Sequence, residues 1–127
     1  MPETVKQRPK YLNLVEIRLP LPGVTSIMHR ISGGVLFLTL PILVYLFQLS
    51  LGTPQEFETL KAIVGNPIAK LILLALMWGF IHHFCMGIRI LLIDVHHCVE
   101  LQAARQSAMV VLCVSIPVTL ILAVKLW

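Results

Sequence analysis

Residues 81 to 97 read IHHFCMGIRILLIDVHH, which places four histidines, an arginine and an aspartate in an otherwise apolar run. Imidazoles among apolar residues suit metal or haem ligation, proton transfer, or hydrogen bonding across a helix interface. Helical spacing sorts them. Each residue turns the helix by about 100°, so His83, Gly87 and Asp94 share one stripe and Gly79 lies one turn before His83 on it. A porphyrin ligated by a helical imidazole must lie close to the helix, and side chains one turn above and below the ligand would obstruct it. Gly79 and Gly87 remove them, which favours His83 over His82 as an axial haem ligand. The same glycines also suit close helix packing, with His83 bonding across an interface.

His82 and Arg89 form a second stripe, turned by about 100° from the first. It lacks flanking glycines, so His82 reads as a polar interface residue. His96, His97 and Cys98 are adjacent in sequence and diverge around a helix, so they read as solvated surface and not as a metal cluster. Cys85, Cys98 and Cys113 show no C-x-x-C spacing; Cys85 and Cys113 read as packing residues within apolar stretches.

A second polar group precedes the first apolar stretch. Ser26 and Arg30 are i, i+4 neighbours with His29 beside them. Together with Arg89 and Asp94 they are expected at one depth near one membrane surface. A hydroxyl, a fork-like cation and a carboxylate there suit a ligand bearing carbonyl oxygens or carboxylates, such as a quinone or haem propionates. An arginine at that depth also satisfies the positive-inside rule.

The elements that must hold these residues follow from composition. The chain has 127 residues, 57% hydrophobic and 13% charged, with a mean hydropathy of +0.89. So much apolar surface in so short a chain requires lipid as part of its solvent. Uncharged stretches at 31–55, 71–88 and 106–124 each match the roughly 17 to 25 residues a helix needs to cross hydrocarbon. The expected fold is therefore an all-α integral membrane protein, one domain over 1–127, with spans at about 25–51, 67–93 and 105–126 behind an N-terminal segment 1–23.

Pro20, Pro22 and Gly23 predict a turn before Thr25 and Ser26 cap the first span, and Pro41 predicts a kink within it. Residues 52–67 read as an external loop with a short surface helix, and 94–105 as a helical extension beyond the membrane. The third span, with Ser115, Pro117 and Thr119 and no ionisable group, reads as a packing element. Lys6, Arg8, Lys10, Arg18 and Arg30 precede the first span, and Arg89 and Arg105 flank the connection between the last two; Lys61, Lys70 and Lys125 face the other way. That asymmetry puts the N-terminus in the cytoplasm and the C-terminus outside. The start of the chain lacks the pattern of a secretory signal, so no cleavage is expected. Partners are expected in the bilayer, with no nucleic acid.

RPKYLNL at 8–14, SIMHRISGG at 26–34 and HFCMGIRILLID at 83–94, in this order and separation, resemble the cytochrome b membrane anchor of succinate dehydrogenase in its bacterial form. The resemblance spans almost the whole chain. It implies half of a two-subunit helical bundle in a bacterial inner membrane, acting in the respiratory chain and citric acid cycle. A second membrane subunit would supply the other haem ligand. Iron–sulfur and flavoprotein partners would carry the iron–sulfur clusters and FAD, and no succinate chemistry would occur on this chain.

The resemblance also assigns His83 as an axial ligand of haem b and Ser26 and Arg30 to the ubiquinone pocket. It places His29 near the haem propionates and Asp94 beside the quinone or its proton supply. Many relatives carry histidine after the arginine of G-I-R, where this chain has Ile90, so Arg89 would have to serve the haem surroundings alone. Two other readings stand beside this one: a haem-free quinone-binding anchor of the fumarate reductase kind, and a small proton-conducting membrane protein using His83, Arg89 and Asp94. The second lacks ionisable stations in the outer half of the membrane.

Overall fold

The computed structural model describes residues 11, 13 and 16–127. Lys6, Arg8 and Lys10, with most of RPKYLNL, lie outside the described residues. The described chain is all helical: α1 (Leu21–Leu51), α2 (Pro54–Gly65), α3 (Pro67–Asp94) and α4 (Leu101–Leu126). Three of these, α1, α3 and α4, are long and apolar enough to cross a membrane. They run alternately up and down, with α3 packed against both α1 and α4.

The helix starts show how local sequence sets the elements. α1 begins at Leu21, earlier than the start expected near Thr25, because Pro20 is its N-cap and Pro22 occupies the first turn. A proline there forfeits no helical hydrogen bond, and its fixed φ favours a start and not a break. Thr25 is not the cap. It lies inside the helix, with its hydroxyl donating to the Leu21 and Pro22 carbonyls. α2 opens with a capping box: the Glu56 amide donates to Thr53 Oγ1 at 3.4 Å, while the Thr53 amide donates to the Glu56 carboxylate at 2.6 Å. Asn66 caps α3, accepting from the Ile68 and Ala69 amides ahead of Pro67.

The helical extension expected over 94–105 is interrupted. After Asp94 the His97 amide donates to the Leu92 carbonyl at 2.8 Å and the His96 amide to Ile93 at 2.9 Å, the pair of bonds that closes a Schellman turn. His96 adopts φ 62° to make it, a left-handed conformation that histidine tolerates better than most side chains. The turn leaves His96 and His97 exposed, and among the described residues no cluster of metal-ligating side chains forms.

The interior is small and polar. Among the described residues its buried apolar side chains are Leu49, Met86, Ala108 and Val111, beside buried Thr25, His82, Arg89, Ser115 and Thr119. Phe37, Leu38, Phe47, Phe80, Phe84 and many other apolar side chains point outward. That distribution suits a bundle in lipid, where small and hydrogen-bonding residues join helices and apolar ones face the solvent.

Candidate functional site

The two stripes of α3 face different neighbours. His83 meets α1, whereas His82, Met86 and Arg89 form the buried face toward the rest of the bundle. His83 Nδ1 lies 3.1 Å from the His29 carbonyl and 3.2 Å from Ser32 Oγ, and Ser32 Oγ itself donates to the His29 carbonyl at 2.9 Å. A carbonyl can only accept, so Nδ1 carries a proton and Nε2 is the nitrogen that bears the lone pair of the neutral ring. The His29 ring stacks on His83 at 4.1 Å between centroids and 14° between planes. The imidazole is thus fixed by a hydrogen bond below and a ring across its face.

Gly33 makes this possible. A Cβ there would lie 2.8 Å from His83 Cε1. The glycines singled out from sequence behave differently: a Cβ at Gly87 would meet nothing within 4 Å, and one at Gly79 would meet only Ser32 Cβ at 3.9 Å. Gly87 leaves a bare patch of α3 one turn beyond His83, whereas Gly79 lies where Ser32 of α1 packs in ordinary contact. Sequence reasoning missed Ser32 and Gly33, although both sit inside SIMHRISGG; spacing on one helix cannot show what the facing helix must surrender.

The polar residues expected at one depth are spread along the bundle, with Ser26 nearer the level of Arg89 than Arg30 or Asp94 is. His83 meets α1 at His29 and Ser32, so Arg30 lies near the level of His83. At 1.5 Å per residue, Arg89 is about 9 Å and Asp94 about 16 Å farther toward the C-terminal end of α3. Asp94 is exposed there. Arg89, only 7% exposed, turns to α4, where Nε donates to Ser107 Oγ at 3.0 Å and an Nη to the Ala104 carbonyl at 3.1 Å. The structure therefore moves Arg89 away from His83 and Asp94 away from Ser26. Ser26 and Arg30 remain one turn apart on α1, half-buried and exposed respectively.

His82 is 1% exposed, beside Trp78 at 5.5 Å between ring centroids and near the Thr25 backbone. It sits inside the bundle, and neither ring nitrogen makes a well-formed hydrogen bond. A buried polar group without a partner costs about 1–3 kcal/mol. His82→Leu is therefore expected to leave the thermal midpoint of the purified assembly unchanged or raise it by a few degrees; a marked fall would mean the imidazole is satisfied in the assembly.

As half of a haem site the residues fit: an imidazole whose Nδ1 is held by a backbone carbonyl, leaving Nε2 as the ligating nitrogen of the neutral ring, and an open patch of α3 at Gly87. A second axial ligand would have to come from another chain.

Comparison with known proteins identifies the family. A family model described as succinate dehydrogenase/fumarate reductase transmembrane subunit matches residues 4–122. The chain is similar to the succinate dehydrogenase cytochrome b556 subunit of Coxiella burnetii, 31% identical over 122 residues that cover 95% of this chain and 98% of that one. It is also similar to the subunit of the same name from Paracoccus denitrificans, 30% identical over 101 residues, 80% of this chain and 78% of the other. The counterpart in Rickettsia felis is 28% identical over 120 residues, 94% of each.

Proposed function

This chain belongs to the succinate dehydrogenase/fumarate reductase transmembrane subunit family, and from that premise we propose that it is the cytochrome b anchor of a succinate:quinone oxidoreductase. In this reading it binds haem b through His83, contributes Ser26 and Arg30 to a ubiquinone site, and docks iron–sulfur and flavoprotein subunits on the cytoplasmic side of a bacterial inner membrane. A second membrane subunit completes the bundle and supplies the other axial histidine. The relatives named cytochrome b556 subunits support the haem; the arrangement of His83 carries the proposal on this chain.

Bound between two histidines, the haem would supply one-electron storage and transfer, with no open position for oxygen chemistry. What the chain contributes is orientation. The His29 carbonyl and Ser32 hydroxyl hold Nδ1–H, which leaves Nε2 of the neutral ring to ligate and fixes the plane of the imidazole. Ser26 would hydrogen-bond a quinone carbonyl, and Arg30 would offset negative charge developing on a quinone oxygen during reduction. Asp94, exposed at the end of α3, suits proton uptake from the cytoplasm and not contact with the quinone.

The geometry does not favour a proton path through His83, Arg89 and Asp94, because His83 faces α1 while Arg89 is committed to α4. The haem-free alternative makes a different spectral prediction. A dithionite-reduced minus air-oxidised spectrum of membranes expressing the complex is expected to show a b-type α band; its absence would leave a quinone-binding anchor without haem.

Gly33→Ala provides a finer test. The added methyl would press on the His83 ring, while at Gly34 it would meet nothing within 4 Å. Gly33→Ala is expected to reduce haem content or shift the α band with complex yield retained, and Gly34→Ala to leave the spectrum as in wild type. Equal spectra for the two variants would refute the steric reading.

A further inference from the structure

Arg89 is a cation buried in a membrane helix without a counter-ion. Its acceptors are Ser107 Oγ, the Ala104 carbonyl and the weakly accepting sulfur of Met86; all are neutral, and among the described residues no carboxylate pairs with it. An unpaired buried charge is costly, and in membrane spans such charges face partners or ligands.

Arg89 also lines a cleft of about 420 Å3 between α3 and α4. Gln106 and Ser107 join it there, while Ile88, Val110 and Val114 form an apolar wall that continues toward the bilayer centre. The guanidinium sits five residues from the end of α3, about 8 Å along the axis, within reach of a headgroup. Ile88, Val110 and Val114 are themselves exposed on the outer surface of this chain, so the cleft opens outward from it.

We propose that this cleft binds an anionic phospholipid, its phosphate accepting from the guanidinium N–H groups of Arg89 that Ser107 and Ala104 leave free, and one acyl chain lying along Val110 and Val114. Charge selects the headgroup and the apolar wall selects the chain. A soluble anion would leave the wall uncovered, and a neutral lipid would leave the charge uncompensated. This site lies on the α4 side of α3, apart from the α1 side that holds His83, and it requires neither haem nor quinone.

The test is native mass spectrometry of the purified complex after delipidation, with phosphatidylglycerol or phosphatidylcholine added back at matched concentration. Wild type is expected to retain phosphatidylglycerol over phosphatidylcholine by about fivefold. Arg89→Gln should abolish the preference. Val114→Trp, which fills the exposed wall and leaves the charge, should reduce retention of phosphatidylglycerol while the haem band persists. If Arg89→Gln fails to assemble, Val114→Trp and the headgroup comparison decide. Equal retention of the two lipids by wild type, as expected if a carboxylate from a partner chain pairs with Arg89, overturns the proposal; so does undiminished phosphatidylglycerol retention in Val114→Trp.

Discussion

His83→Ala is expected to eliminate the b-type α band, or lower haem content at least about tenfold, in membranes where the complex accumulates to wild-type level. The expectation rests on one imidazole whose proton is assigned by its surroundings: Nδ1 faces a backbone carbonyl at 3.1 Å, and only the opposite nitrogen can ligate. Nothing else on α1 or α3 can take its place without rebuilding the interface. His82 is one residue away but points into the bundle, and His29 lies flat against the His83 ring. Ser32→Ala should act in the same direction more weakly, because the His29 carbonyl remains to hold Nδ1. A band unchanged in His83→Ala would remove His83 as the ligand and return the choice to His82 or His29. A band lost together with the assembled complex would show only that the side chain is needed for folding, so the yield measurement belongs to the test.

The span pattern was legible in the sequence because lipid imposes one rule on a whole helix: about twenty uncharged apolar residues, bounded by breakers and charges. The division of α3 into a His83 stripe and a His82–Arg89 stripe was legible for a similar reason, since helical geometry alone fixes which residues share a face. What stayed hidden were relations between helices. The 2.8 Å approach that makes Gly33 necessary depends on which α1 residue lies opposite His83. The expectation that Ser26, Arg30, Arg89 and Asp94 share a depth failed for Arg30 and Asp94 on that register, because residues near one end of two antiparallel spans can still lie many ångströms apart. PLPG misled for a local reason: proline breaks a helix from within but starts one from its first turn. The reverse occurred after Asp94, where a histidine took the left-handed position usually given to glycine.

Arg30→Ala is expected to lower succinate-driven quinone reduction by about 10²–10³-fold, the usual cost of removing one donor aimed at a developing oxyanion, with the haem band retained. Arg30 has no side-chain partner among the described residues and is exposed, so truncation should cost the fold little. Its position is otherwise expensive. It lies near the level of His83, well inside the helix that crosses the membrane, and an unpaired guanidinium there is retained for what it contacts. In the proposed site that contact is a quinone oxygen, and the loss should fall mainly on turnover, because the charge matters most as the oxygen becomes negative. Arg30→Lys should recover part of the rate by keeping the charge while losing the planar fork. Succinate oxidation by a soluble dye, which bypasses the membrane anchor, should remain near wild type in both variants. If dye reduction fell as far as quinone reduction, the arginine would be holding the assembly together and its assignment to the quinone would be wrong.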